Sequence, residues 1–220
     1  MGSTEQLGPR RPYRSPSRDA AARLTRQRIL EAAAGLFLEA GYTTTSVRSI
    51  AKAAGVAEKT VYLQFETKPA ILKSLVDAAI MGADHGVPTV RSPWFLEVLE
   101  EARLERKVQL LAAGTTALHE RTGALFAVAR EAASVDPQVR TLWSRGKRRH
   151  RADMTTMAES FAVHGLLPAG LDAAWATEVL YVLLGPENWD LLRRELGHGE
   201  GHYRDWLGTT LTACFSGRSR

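Results

Sequence analysis

The chain has 220 residues, of which 45% are hydrophobic, and a formal net charge of +5. This composition allows an ordinary globular core, but no apolar run reaches the roughly 18 to 20 residues that a membrane helix needs, and the first residues contain no apolar signal segment. Cys214 is the only cysteine, which excludes an internal disulfide and a cysteine-based zinc site. We therefore expect a soluble, cytoplasmic protein with no cofactor and no metal.

The excess positive charge lies in the N-terminal third of the chain. Residues 1–83 contain twelve Lys and Arg against seven Asp and Glu, whereas residues 84–220 contain seventeen of each kind. This asymmetry favours contact between the N-terminal third and a polyanion, with a different role for the rest of the chain. Basic ends also serve only to keep proteins soluble, so the charge alone leaves both interpretations open.

Residues 1–22 are assigned to a flexible basic arm, because Pro, Ser, Gly and Arg dominate this stretch. Its arginines would either follow a minor groove or act only as a solubilising tail; they are Arg10, Arg11, Arg14 and Arg18. Helical spacing begins close to Ser17 or Asp19 and continues until Gly41. The arm is therefore expected to lead into a first long helix.

Beyond the first helix, apolar residues recur every three or four positions, and no stretch shows the alternation of a strand. The spacing predicts an all-α chain of about ten helices. Thr45 is the expected N-cap of the second helix, Gly55 its end, and Pro69 the start of the fourth. After a connection that contains Gly and Pro, the predicted helices cover residues 94–101, 104–120, 123–134, 137–164, 171–184, 187–196 and 202–215.

The segment SIAKAAGVAEKTVYLQF, residues 49–65, predicts two short helices joined by a tight turn at Gly55. Val61 and Phe65 belong to the buried side of the second of these helices. A rotation of about 100° per residue then leaves a free side, with Thr60 on its flank and three residues at its centre: Lys59, Tyr62 and Leu63. A face of this kind either enters a major groove or is merely solvated.

The polar groups of this face suit a nucleic acid. Lys59 and Thr60 lie near the N-terminal end of the helix, where recognition helices reach base edges. Tyr62 and Gln64 have groups that can meet phosphates or bases, and Lys68 precedes the next helix as a candidate phosphate contact. Two helices that only pack together would show a similar pattern. The flanking sequence is therefore needed to distinguish a DNA-binding face from a solvated one.

That flanking sequence carries a specific resemblance. Residues 25–78 contain "RILEAA…LF…GY" in the first helix, "TTTSVRSIAKAAGV" in the second, "TVYLQF" in the third and "KPAIL" at the start of the fourth. In this order and spacing they closely resemble the N-terminal domain of the TetR (tetracycline repressor) family of bacterial transcriptional regulators. The resemblance implies a three-helix helix-turn-helix domain at residues 23–83, with the helix-turn-helix itself at 46–65.

By the same resemblance, residues 84–220 form a larger helical domain for ligand binding and dimerisation. The implied function is a sequence-specific repressor that binds a palindromic DNA operator as a homodimer and is released by a small-molecule effector. The resemblance places DNA contacts at Thr45, Ser46, Arg48, Lys59, Thr60, Tyr62, Leu63, Gln64 and Lys68.

Three positions depart from the family pattern. Ala57 replaces the usual Ser or Thr that caps the recognition helix, Leu63 and Gln64 stand where His and Tyr are frequent, and Glu58 brings a negative charge close to DNA. These differences bear on which operator is bound and how tightly.

The aromatic and imidazole groups of the middle helices are candidates for lining a ligand pocket: Trp94, Phe95, His119, Phe126 and Trp143. Two C-terminal helices are candidates for a four-helix dimer interface, through Trp175, Val179, Val182, Trp206, Leu207 and Leu211. Each of these residues also suits the core of its own subunit, more so the ligand candidates than the interface candidates. The basic run at residues 140–151 is interpreted as a solvated helix face, with an anionic-ligand or second nucleic-acid site as the alternative.

Two other functions, an architectural nucleic-acid binder and an enzyme, predict different features of the sequence. An architectural nucleic-acid binder without an effector would spread its charge along the chain, which this sequence does not do. An enzyme would depend on the sequence HGEGH, His198 to His202. Gly199 and Gly201 oppose a helix there, and the Glu is one position away from the zinc-protease pattern. We therefore expect no enzymatic activity.

Overall fold

The structure is a computed structural model that describes residues 16–82 and 89–217, and this part of the chain contains ten α-helices and no strand. The all-α prediction is confirmed. A 3-10 turn at Thr89–Arg91 precedes α5, and a π-helical turn at Leu191–Glu195 extends α9. The helices are α1 Pro16–Ala40, α2 Val47–Ala54, α3 Glu58–Phe65, α4 Lys68–Met81, α5 Pro93–Glu100, α6 Leu104–Val135, α7 Pro137–Val163, α8 Ala173–Leu183, α9 Pro186–Asp190 and α10 Glu200–Phe215.

Local capping signals set the ends of α2 and α4. Ser46 is the N-cap of α2, and a capping box joins its side chain and backbone to Ser49. This corrects the prediction that Thr45 caps α2. Gly55 ends α2 in the left-handed region at φ 64°, where a residue without Cβ is favoured. Thr67 caps α4, with Pro69 in its first turn.

The first helix begins at Pro16, inside the stretch that the sequence assigns to the basic arm, because proline suits the first helical turn. Arg10, Arg11 and Arg14 lie outside the described residues, and so do residues 83–88 of the connection between α4 and α5. No helix in the described part of the chain has both the length and the apolar content needed to span a bilayer.

One long helix replaces two predicted ones. α6 runs without interruption from Leu104 to Val135, whereas the sequence predicts a new helix at Gly123 after a break at 121–122. Gly123 instead serves packing, because a Cβ at this position would overlap the indole of Trp189. A Cβ at Gly114 would likewise overlap the indole of Trp94. The two glycines allow two tryptophan rings to lie directly on the α6 backbone.

Buried apolar residues form two clusters, and α6 and α7 belong to both. The lower cluster contains the buried face of α1–α4 together with one end of α6 and the start of α7: Leu125, Val128, Ala129, Ala132, Ala133 and Val139. The upper cluster contains α5, the first half of α6, the second half of α7, and α8 to α10. The helices α1 to α4 therefore share their core with α6.

Candidate nucleic-acid interface

The inner face of α3 is fixed against its neighbours. Val61 and Phe65 are buried in the lower cluster. The Arg26 guanidinium of α1 lies 4.0 Å from the centroid of the Phe65 ring, and it donates to the Gln64 carbonyl oxygen at 2.9 Å and to Ser74 Oγ at 3.0 Å. This one side chain thus links α1, α3 and α4, so the orientation of α3 is set by packing and by directional hydrogen bonds.

The outer face of α3 is open, as the helical projection predicts. Leu63 is 74% exposed and Tyr62 is 49% exposed. Lys59 is exposed as well, whereas Thr60 and Gln64 are half-buried on the flanks. The structure therefore brings Lys59, Tyr62 and Leu63 together on one ridge that points away from the protein.

The entry to α3 has the weak cap that the sequence predicts. Ala57 occupies the N-cap position and makes no side-chain hydrogen bond there. Glu58 Oε1 lies 3.8 Å from Arg48 Nε, and the Arg48 side chain is 88% exposed. The charge of Glu58 is therefore partly offset by a cation on α2, which reduces its repulsion of a phosphate.

Thr45 and Lys68 are predicted DNA contacts whose polar atoms bind groups inside the protein. Thr45 is 2% exposed, and its hydroxyl lies 2.8 Å from the Gly41 carbonyl oxygen and 3.1 Å from that of Leu36. Its side chain holds the end of α1 and is not available to DNA. Ser46 is exposed, but its hydroxyl already accepts from the Ser49 amide at 3.0 Å as the cap of α2.

Lys68 is the second internal contact. Its ammonium donates to the carbonyl oxygens of Tyr42 and Thr45, each at 2.9 Å, and lies 4.0 Å from the centroid of the Tyr42 ring. Burial lowers the pKa of Lys68, and the charge of Asp136 opposes this effect. Lys68 thus stabilises the turn between α1 and α2, and its role as a phosphate contact stays a prediction.

Sequence reasoning missed the contact that joins the two halves of the molecule. The Tyr42 hydroxyl donates to Asp136 Oδ2 at 2.7 Å, and Asp136 Oδ1 accepts from the amides of Gln138 and Val139 as the N-cap of α7. Burial by itself would raise the pKa of Asp136, but these hydrogen bonds together lower it. Burial and the bond to Asp136 both raise the pKa of Tyr42.

The five candidate ligand residues fall into two groups. Trp94, Phe95 and His119 belong to the upper region, where Phe95 is fully buried and the Trp94 and Phe95 rings meet edge to face at 5.6 Å. Phe126 and Trp143 pair at 6.1 Å, and Trp143 packs on the lower cluster. The structure therefore does not bring all five side chains to one place.

His119 is the best-defined polar group of the upper region. The side chain is buried, and this burial lowers its pKa to about 3, so the ring is neutral at pH 7. A hydrogen bond of 3.2 Å joins its Nδ1 to the Tyr203 hydroxyl, and the Trp189 ring lies 4.9 Å from that of Tyr203. His119 and Tyr203 thus form a buried polar pair among aromatic rings.

The candidate dimer residues also divide. Leu207 and Leu211 are fully buried within the subunit, so the structure corrects their assignment to an interface, because these side chains face α6 and its neighbours. Val182 of α8 is 60% exposed. Val179, Trp175 and Trp206 are half-buried, and the Trp175 ring meets that of Phe215 at 5.4 Å.

The HGEGH segment lies at the start of α10, and the basic run lies on α7. His198 precedes α10 and His202 lies inside it, with their rings stacked at 3.9 Å. Within the described ranges, no cluster of three or more His, Cys, Asp or Glu is placed to hold a metal ion. In the basic run of α7, Arg148 and Arg149 are exposed, whereas Lys147 pairs with Glu187 and His150 is half-buried against Tyr181.

The helices α2 and α3, joined by the turn at Gly55 and packed against α1 and α4, form a helix-turn-helix. Residues 29–75 match the sequence model described as bacterial regulatory proteins, tetR family. This match spans the later part of α1, all of α2 and α3, and the first half of α4, and it confirms the resemblance noted from the sequence. Residues 29–75 therefore form a helix-turn-helix domain of the TetR type.

Solved structures share the whole fold. NalD of Pseudomonas aeruginosa, described as the secondary repressor of the MexAB-OprM multidrug efflux pump, is 23% identical, with a TM-score of 0.67 over 91% of this chain and 98% of NalD. PfmR of Thermus thermophilus is 23% identical, with a TM-score of 0.63 over 88% of this chain and all of PfmR. FadR of Bacillus halodurans, a fatty acid degradation regulator, is 18% identical, with a TM-score of 0.66 over 85% and 94%. No curated protein has a matching sequence.

Proposed function

We propose that the chain is a repressor that binds a palindromic operator as a homodimer and leaves it when a small molecule binds the C-terminal domain. The observation that carries this proposal is the exposed ridge of α3, because it lies within the segment that matches the TetR-type model. Lys59 would approach bases, and Tyr62 and the exposed Arg48 would approach phosphates.

A dimer supports this function because one helix-turn-helix covers little DNA. Two such units related by a twofold axis would read half-sites about one helical turn apart. The exposed apolar surface of α8 around Val182 is the proposed contact, with Val179, Trp175 and Trp206 at its margin. In this arrangement Leu207 and Leu211 stabilise the subunit that carries the contact surface.

Release by a ligand would act through a shift between two conformations of the dimer. The effector would bind near His119, Trp94 and Phe95, and would favour the conformation in which the two α3 helices do not match the half-site spacing. Coupling of this kind commonly amounts to about 1 to 3 kcal/mol. The helix α4 and the Tyr42 to Asp136 contact are the two routes by which the change would reach α3.

The first test is selection of bound fragments from random double-stranded DNA at one moderate salt concentration, followed by titration of the best site against its half-site. We expect a palindrome that is bound far more tightly than either half alone. A lack of any enriched sequence, with weak binding that fades as salt rises, would instead support a non-specific polyanion binder.

Two variants that remove the same charge make this test sharper. Lys59→Ala should weaken binding to the selected operator, because Lys59 lies on the exposed ridge. Lys73→Ala should leave binding almost unchanged, because Lys73 lies on α4 and pairs there with Asp77. Equal losses for both variants would mean that only total charge matters, and this result would contradict a specific contact.

A further inference from the structure

An exposed leucine occupies the centre of the proposed DNA-reading ridge. In the described residues of α1 to α4, Leu63 is the most exposed large apolar side chain, at 74%. Single exposed leucines are ordinary on protein surfaces, so exposure alone has no functional meaning. What distinguishes Leu63 is its direction, because it points directly away from the buried side defined by Val61 and Phe65.

The position of Leu63 restricts what it can touch. If α3 enters a major groove, its outermost side chains reach deepest, and these are Leu63 and Lys59, one turn apart. Leucine cannot donate a hydrogen bond to a base edge. It also cannot satisfy a phosphate, which would lose water against it without compensation. The only apolar group on the floor of the major groove is the C5-methyl group of thymine.

We propose that Leu63 reads the C5-methyl group of a thymine in each operator half-site. This inference rests on the proposed function, since it requires α3 to lie in the major groove. Lys59 then contacts a second base of the same half-site, with guanine as its best partner because guanine presents two acceptors there. Four residues along a helix span about 6 Å, and successive base pairs lie about 3.4 Å apart, so the two bases are separated by roughly two base pairs.

The surroundings of Leu63 agree with a base contact. Tyr62 is directed to one side of the ridge, where its hydroxyl can reach the DNA backbone. Arg48 is highly exposed on α2 and supplies a second backbone contact. With one cation and one hydroxyl group placed to hold the backbone, the apolar Leu63 is left for the groove floor.

The test uses the operator obtained by fragment selection and replaces each symmetric pair of thymines in turn by deoxyuridine, which lacks only the methyl group. At the position that Leu63 contacts, this replacement should lower the affinity of the wild-type protein roughly fourfold per half-site, because one methyl group is removed from an apolar contact. Replacement in both half-sites should lower it about fifteenfold. Leu63→Ala should bind the thymine and deoxyuridine operators equally well. Leu38→Ala, which changes an exposed leucine on α1, should keep the wild-type difference.

The possible outcomes separate this inference from the proposed function. An operator that is selected but indifferent to every thymine replacement would overturn the role of Leu63 and leave operator binding intact. If Leu63→Ala weakens binding to both operators while the thymine difference persists, Leu63 contacts a sugar or another group, and the inference is wrong. If no operator is selected at all, the proposed function fails, and the role of Leu63 fails with it. Circular dichroism of Leu63→Ala should match that of the wild type, since the side chain is exposed.

Discussion

The lower and upper halves of the molecule combine polar and aromatic contacts in different proportions. The lower half depends on directional polar links, in which Arg26 joins three helices and Tyr42 joins the turn after α1 to the start of α7. The upper half has polar links too, such as Lys107 to the carbonyl oxygens of Leu99 and Glu101, and it adds a denser set of aromatic contacts, such as Phe161 against Phe215 at 4.5 Å. Directional bonds fix the angle of α3, and the close-packed aromatic rings of the upper half fix the helices that carry them. The comparison teaches that two halves of one α-helical chain reach a fixed packing through different proportions of polar and aromatic contacts.

The largest expected effect comes from opening the core that α1 shares with α6. Phe37→Ala should lower the free energy of unfolding by about 3 to 5 kcal/mol, because Phe37 is fully buried in the lower cluster. Amide hydrogen exchange should rise in α1 to α4 and also in residues 125–133, but less in residues 104–112.

Phe161→Ala is the matched change in the upper cluster. Its loss of stability should be similar, but its hydrogen exchange should rise mainly in α5, α8 and α10. Identical exchange patterns for the two variants would show that the clusters open as one unit, and this would contradict the division into a lower and an upper half.

The next prediction concerns the tryptophan that lies on α6. Gly123→Ala should destabilise the fold by about 1 to 3 kcal/mol, because a Cβ would overlap the buried Trp189 ring. Gly146→Ala on α7 is the control, since no atom lies within 4 Å of its Cβ position. It should stabilise its helix by about 0.5 to 1 kcal/mol. Urea unfolding of both variants measures the difference, and equal stabilisation would contradict the close packing of Trp189.

Removing one hydroxyl group should weaken the link between the halves. Tyr42→Phe deletes the hydrogen bond to Asp136 and should cost about 1.5 to 3 kcal/mol, as for other bonds to charged groups. Asp136 has a lowered pKa, so its contribution to stability is present above its unfolded pKa of about 3.9 and is lost as the pH falls through the folded value. Without Tyr42 that folded value rises, so acid unfolding should begin at a higher pH. An unchanged acid transition would show that the contact adds nothing in solution.

Salt dependence of binding should distinguish an internal lysine from a phosphate contact. Arg48→Ala should reduce the slope of log affinity against log salt by about 0.9 per half-site, because one exposed cation is removed from the backbone contact. Lys68→Met should leave the slope unchanged while lowering stability, because its ammonium is held by the Tyr42 and Thr45 carbonyl oxygens. A reduced slope for Lys68→Met would restore this residue as a phosphate contact.

The smallest expected effect lies at the end of α3. Glu66 has φ 60°, a backbone conformation that side chains with a Cβ disfavour. Glu66→Gly should therefore raise the free energy of unfolding by about 1 kcal/mol. Glu39→Gly, at an exposed site inside α1, should instead destabilise by a similar amount. Thermal melting of the two variants in parallel measures both, and destabilisation by Glu66→Gly would contradict strain at this position.

Sequence reasoning predicts the parts of the structure that local chemistry decides. Gly41, Gly55 and Pro69 mark helix ends through backbone geometry, and the free face of α3 follows from helical rotation around Val61 and Phe65. Each of these signals lies within a few residues of its effect, which explains why the sequence is sufficient for them.

The missed features depend on residues far apart in the chain. Tyr42 and Asp136 are 94 positions apart, and no local pattern reveals that they meet. Its place at the start of α4 favours Lys68 as a phosphate contact, and the family resemblance adds Thr45. In the structure, carbonyl oxygens of the turn after α1 accept from both side chains. Leu207 and Leu211 show that an apolar stripe does not distinguish a core from an interface.

The division of α6 between two cores has a practical consequence for protein engineering. A hybrid protein made by cutting the chain at residue 83 and joining the front part to a foreign domain would leave Leu125, Val128, Ala129 and Ala132 behind. The front part would then carry an exposed apolar face and lack the Asp136 acceptor for Tyr42. A working hybrid of this protein has to transplant the end of α6 and the start of α7 along with the DNA-binding helices.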